Sequence, residues 1–168
     1  MTGISVLMRD LVPPGRGVSS DPRTRVILSN INAMLTNVHS VGELPGDILL
    51  LTEVKLTAEA QRQMGCELRD AGWEMIWGEP QQPMQAAPGV NESDHNAERG
   101  GTAAAVRLGA KGSRRPLTGR AREYELEGRL MHAEIPYGDA RQTADYLIVY
   151  GYQGAWMGGE AFELNEDF

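Results

Sequence analysis

Glu53 closes a strongly apolar run, Asp47-Ile-Leu-Leu-Leu-Thr-Glu53-Val-Lys55. A strand of that composition is ordinarily buried on both faces. A carboxylate avoids such a place unless a partner offsets its loss of water, and a divalent cation is one such partner. The plainer alternative is a strand-end carboxylate that faces water, with Lys55 beside it on the same face. Asn30 ends another strand-like run, Leu28-Ser-Asn30, and its type also suits a turn or a helix cap. Tyr150 ends Tyr146-Leu-Ile-Val-Tyr150 and reads equally well as packing at a sheet edge. The single cysteine, Cys66, excludes an internal disulfide framework and a Cys-based zinc site.

The elements that must position these residues follow from periodicity and punctuation. Residues 1–23 hold Pro13, Pro14, Gly15, Gly17 and Pro22, which reads as a disordered leader. Arg25 to Ile31 is the first expected strand. Met34, Leu35, Val38 and Val41 are spaced for a short helix up to Gly42. Ile48 to Val54 is the second strand. Thr57 caps a helix from Ala58 to Ala71, with Ala60, Met64, Leu68 and Ala71 inward and Gly72 as its stop. Trp73 to Gly78 is a third strand. Gly78 to Gly100 is a long polar loop, and loops of that length are functional or disordered. Thr102 to Leu108 is a small-residue strand. Gly128 to Ile135 and Tyr146 to Tyr150 read as a strand pair around a turn at Pro136 to Thr143. Residues 158–168 read as an acidic flexible tail.

Composition sets the outer bounds. The 168 residues fit one domain, placed at 24–157, and 41% hydrophobic content allows a core. No apolar run reaches the length of a membrane span, and the N-terminus lacks the pattern of a secretory signal. An intracellular setting, nucleus or cytoplasm, fits those features. The net charge of −7 disfavours holding nucleic acid by bulk charge alone. Lys111 to Arg122 is nevertheless basic, with Lys111, Arg114, Arg115, Arg120 and Arg122 and no acid.

Five motifs fall in one order: Leu28-Ser-Asn30-Ile-Asn-Ala; Asp47-Ile-Leu-Leu-Leu-Thr-Glu53-Val-Lys55-Leu; Gly100-Gly101-Thr-Ala-Ala-Ala-Val-Arg107; Glu127-Gly-Arg129-Leu-Met-His-Ala-Glu-Ile; and Tyr146-Leu-Ile-Val-Tyr150-Gly-Tyr-Gln-Gly. Together, over about residues 24 to 155, they resemble the N-terminal portion of the endonuclease/exonuclease/phosphatase superfamily. That superfamily includes apurinic/apyrimidinic endonucleases, DNase I and retrotransposon endonucleases. Trp73-Glu-Met-Ile-Trp-Gly-Glu-Pro80 is similar to text in the retrotransposon-type members.

The resemblance implies an α+β fold: one sheet with its flanking helices, the first part of a four-layer α/β/β/α sandwich. It implies Glu53 as the ligand of a magnesium ion, for which manganese can substitute. It implies Asn30 and Tyr150 as active-site residues beside metal and phosphate. Asn32 stands where many members have aspartate, and Thr52 where glutamine usually precedes the glutamate. Gln153 lies roughly where a further asparagine is expected. Phosphodiester hydrolysis calls for such types, because a cation offsets charge on the phosphate while amide and phenol groups orient it without adding charge. The substrate implied is DNA or another phosphodiester.

The same resemblance implies a water-activating aspartate and histidine, in Asp-x-Asn and Ser-Asp-His segments later in the fold. Ser93-Asp94-His95 has the letters of the second, but no strand leads into it. His39 and His132 read as ordinary surface or sheet residues. The expectation is therefore an incomplete phosphodiesterase, weakly active or inactive alone, whose partner is the missing second half of the domain. Its apolar inner sheet face would then be exposed. The competing expectation is a catalytically dead remnant that binds nucleic acid or protein through the 78–100 loop and the basic cluster.

Overall fold

A computed structural model of the protein describes residues 5–11, 24–82, 100–137 and 142–151. Eight strands and three helices lie among them. Five strands form one sheet in the order β1-β2-β3-β5-β4, and three form another in the order β6-β7-β8. The larger sheet holds β1 (Ser5–Leu11), β2 (Thr24–Asn30), β3 (Ile48–Thr52), β4 (Trp73–Trp77) and β5 (Thr102–Arg107). The smaller holds β6 (Ser113–Arg115), β7 (Leu130–Tyr137) and β8 (Gln142–Val149). The helices are α1 (Met34–Gly42), α2 (Ala58–Asp70) and α3 (Arg120–Leu126).

Strands β2 and β3 run parallel, which requires a crossover, and α1 supplies it. Their register sets Asn30 opposite Thr52, so both strands end at the same height. Strand β5 then inserts antiparallel between β3 and β4.

Alternation along each central strand builds two cores. Ile27, Leu49, Leu51, Ala103 and Ala105 face α1 and α2, where Met34, Val41, Met64 and Leu68 meet them. Their neighbours Val26, Ile48, Ala104 and Val106 face the second sheet and pack on Met131, Ala133, Ile135 and Ile148. This double burial explains the apolar run that leads into Glu53. Helix α2 starts as its sequence predicts, with the Thr57 hydroxyl accepting from the Ala60 amide at 3.4 Å. No helix among the described residues is long and apolar enough to cross a membrane.

The fold is α+β and has the layers of a partial sandwich, with three departures from expectation. Ser5–Leu11, read as part of a disordered leader, forms β1 along β2. The edge of β2 presents a row of backbone donors and acceptors, and β1 pairs with them from Leu11↔Thr24 to Ser5↔Asn30. The inner sheet face, expected to be exposed, is covered. The later strands form a sheet of their own and lie on it, burying Met131, Ile135 and Ile148. Finally, the basic stretch, to which the sequence assigns no element, contains β6 and the start of α3. Residues 83–99, with Ser93-Asp94-His95, and residues 152–168, with Gln153 and the acidic tail, lie outside the described residues.

Candidate functional site

The parallel pair β2–β3 brings two of the three singled-out residues together. Asn30 is the last residue of β2, and Glu53 follows the last residue of β3. The chain after β2 is laced to the chain after β3. The Ile31 amide donates to the Thr52 carbonyl (3.1 Å), Ala33 to Glu53 (2.8 Å) and Met34 to Val54 (3.0 Å). On the other side, the Val54 and Lys55 amides donate to the carbonyls of Gly101 (3.2 Å) and Gly100 (3.0 Å).

This lacing holds the backbone in an unusual form. Among the described residues, the non-glycine positions with positive φ are Asn32 (44°), Ala33 (88°), Glu53 (57°) and Lys55 (50°), all at these two strand ends. Asparagine tolerates that region, whereas alanine, glutamate and lysine do not favour it. Each such residue costs on the order of 1–3 kcal/mol and persists only where its surroundings over-determine it. Gly101 (φ 88°) completes the cluster, since a Cβ there would come within 2.6 Å of Val54.

Glu53 is 4% exposed, so the reading of a carboxylate facing water fails. The Tyr150 hydroxyl donates to Glu53 Oε1 from 97 positions away. Tyr150 is 9% exposed and follows β8, so the second sheet delivers the third singled-out residue to the first. Asn30 Oδ1 accepts from the Asn32 amide at 3.1 Å, a turn-forming bond that shapes the end of β2. The Lys55 ammonium turns to the neighbouring strand end and donates to Asn32 Oδ1 at 2.9 Å.

Two residues of this region carry weight that the sequence reading did not give them. Lys55 ties the two strand ends together through Asn32. Arg129 underlies Tyr150: its guanidinium donates to the Gly151 carbonyl at 2.9 Å. The sequence signal for Arg129 is Glu127-Gly-Arg129, where a glycine turn leads an arginine into a strand. The two histidines among the described residues stand elsewhere. His132 pairs with Asp145 at 2.7 Å, and His39 lines a surface groove with Gly42, Glu67 and Ala71.

Among the described residues no group of three or more His, Cys, Asp or Glu is arranged to hold a metal. The oxygen donors at the strand ends are one carboxylate, Glu53, and the carboxamides of Asn30 and Asn32. That set does not suit zinc, which takes several nitrogen or sulfur ligands. It suits an oxygen-seeking ion that keeps most of its waters and takes one or two carboxylates, as magnesium does.

Three arginines of the basic cluster, Arg114, Arg115 and Arg122, are paired with carboxylates. Arg114 and Arg122 both pair with Glu79, just beyond β4. Both also meet Glu125 on α3, whose side chain is 0% exposed. Arg114 Nε lies 3.0 Å from Glu125 Oε1 but outside hydrogen-bonding alignment, so that contact is ionic. Arg115 pairs with Glu134. Charge engaged in such pairs attracts phosphate less than the sequence suggests.

Burial would raise the Glu79 carboxyl, but hydrogen bonds from Arg122 and Arg114, and their charges, outweigh it and hold it below the ordinary 4.5. A carboxyl with a lowered folded-state pKa stabilises the fold above its unfolded value, and that contribution is lost as pH falls through the folded one. Urea midpoints should therefore favour wild type over Glu79→Gln at neutral pH. The gap should close as the pH drops below about 4.5. A gap that stays constant down to about pH 3 would contradict the pairing.

No family model matches the chain. No curated protein sequence matches it. Solved structures do. A 3'-5' exonuclease (NExo) from Neisseria meningitidis superposes with a TM-score of 0.54 at 18% identity, over 84% of this chain and 47% of that one. A point variant of the 3' phosphatase NExo from Neisseria, bound to product DNA hairpin, gives 0.55 at 18% identity, over 86% and 48%. The chain thus spans about half the length of the structures it matches, and what it shares with them is the fold.

Proposed function

We propose that the chain carries the metal-binding side of a magnesium-dependent phosphodiesterase, a nuclease-like hydrolase. The observation that carries the reading is Glu53: a buried carboxylate in a strained backbone position, held by the Tyr150 hydroxyl. Strain of this kind concentrates at functional sites. Glu53 would hold the ion, and Asn30, at the neighbouring strand end, would face the phosphate. Manganese would serve in its place. When bound, the cation offsets charge on a phosphodiester and polarises it.

The chain's own residues then orient and position. The Tyr150 hydroxyl fixes the Glu53 carboxylate through one of its oxygens. Burial of Glu53 strengthens its attraction to a cation by excluding water. The strand-end turn at Asn30 and Asn32 sets where a phosphate can approach. DNA is the substrate class we favour, because a structural neighbour is described as bound to a product DNA hairpin. Membership of the endonuclease/exonuclease/phosphatase superfamily is part of the same proposal. The ion-paired arginines weigh against a binding module that works through the basic cluster.

Magnesium titration by calorimetry tests the reading, with wild type against Glu53→Gln. Outer-shell partners of a bound metal cost about 10–100-fold in affinity when removed, and loss of the ligand should exceed that. Superimposable curves would sink the proposal.

A further inference from the structure

We infer that Arg129 is a positioning residue for the site: it sets the Tyr150 ring so that its hydroxyl reaches Glu53. The inference deepens the function proposed above and rests on the same site.

Arg129 is 7% exposed, an unusual place for a guanidinium. Its ion pair with Glu127 is a long one, 3.7 Å to Oε2 of a half-exposed side chain. Closer contacts run to the residues around the site. The guanidinium donates to the Gly151 carbonyl at 2.9 Å and the Tyr150 carbonyl at 3.4 Å. It also lies over the Tyr150 ring, 5.3 Å from its centroid. From its own main chain, the Arg129 carbonyl accepts from the Tyr150 amide at 2.8 Å. Tyr150 is therefore gripped at its amide, its carbonyl and its ring face by one residue. With those fixed, little freedom remains in the ring, and the hydroxyl is aimed at Glu53 Oε1.

The turn before Arg129 serves the other side of Glu53. Gly128, with φ 69°, offers its carbonyl to the Gly101 amide at 2.9 Å, and Gly101 in turn receives Val54. Residues 128 and 129 thus connect to Glu53 twice, through Gly101 and Val54 and through Tyr150. A buried guanidinium is costly to desolvate. What it secures here is the orientation of one phenol.

Proton NMR of the full chain tests this directly. A hydroxyl proton bonded to a buried carboxylate exchanges slowly, and in wild type one such signal should vanish in Tyr150→Phe. It should vanish or shift in Arg129→Met while the amide spectrum stays dispersed. Arg129→Lys covers the case in which the methionine variant fails to fold. It keeps the charge and the stem but not the planar fork, and the signal should be lost there too. Magnesium affinity should fall in the folded Arg129 variant by the same factor as in Tyr150→Phe, about 10-fold or more. The double variant should fall no further. An unchanged hydroxyl signal in a folded Arg129 variant overturns the inference, as does a wild-type spectrum with no signal assignable to Tyr150. Absence of magnesium binding in wild type would refute the proposed function, while the hydroxyl signal would still judge Arg129.

Discussion

Trp73→Ala will destabilise the protein by about 3–5 kcal/mol, the range for removing a large buried aromatic. Trp73 begins β4 and is fully buried against the helices. Three separate interactions meet on its ring. The apolar body fills the core between sheet and helices. The indole N–H donates to the Gly42 carbonyl at 3.0 Å, which ties the end of α1 to the sheet. Arg107 lies over the ring at 3.8 Å, and its own guanidinium donates to the carbonyls of Gly46 (2.9 Å) and Leu44 (3.0 Å). Truncation opens a cavity, orphans a carbonyl and removes the surface on which Arg107 rests. Trp73→Phe keeps most of the volume and should recover more than half of the loss. Urea denaturation followed by far-ultraviolet circular dichroism measures both, and a loss under about 1 kcal/mol would show that the site collapses around the gap.

The second large effect is expected from Arg114→Met combined with Arg122→Met. Together these strand Glu125, a carboxylate with no exposure, and remove both arginine partners of Glu79. Breaking a buried ion pair by taking one side away costs about 3–5 kcal/mol, because the remaining charge stays dry and unmatched. Either single substitution should cost clearly less, since the other arginine still reaches Glu125. Adding Glu125→Leu to the double variant should restore most of the stability, because an apolar side chain suits the vacated site. If the triple variant is no more stable than the double, the cost lies in lost arginine packing and not in the stranded charge.

Much of the first sheet is legible in the sequence because its elements are locally marked. Burial on both faces needs the apolar run at Ile48 to Thr52, and α2 has a threonine cap, an apolar stripe and a glycine after it. Strand β1 was not legible, because its seven residues sit beside a segment dense in proline and glycine. Only the open edge of β2 makes them a strand. Helix α3 is short and lacks a side-chain cap, and its apolar content is low. Tertiary pairs of its Glu125 with Arg114 and of its Arg122 with Glu79 support it, and no local pattern announces those.

The second sheet escaped for a related reason. Periodicity tells that β7 and β8 pair, but not on which face of the first sheet they settle. At the site, the anomaly of Glu53 was readable from composition, and its burial follows from the apolar run. The contribution of Arg129 was not, because a lone arginine in a strand pair has the same letters whether it faces water or a phenol. Lys55 looked like a neighbour of Glu53 on one face. The left-handed backbone at both residues turns it toward Asn32 instead.

The hydrogen bond from Tyr150 to Glu53 closes a span of 97 residues. A chain emerging from the ribosome lays down β2 and β3 long before β8 exists. Through that interval the carboxylate has neither its phenol nor the second sheet that delivers it. Long-range closures of this kind form late, after local helices and neighbouring strands. The site is thus absent from partly folded chains and comes into being with the last described strand, so any affinity it has for a cation is a property of the finished two-sheet unit.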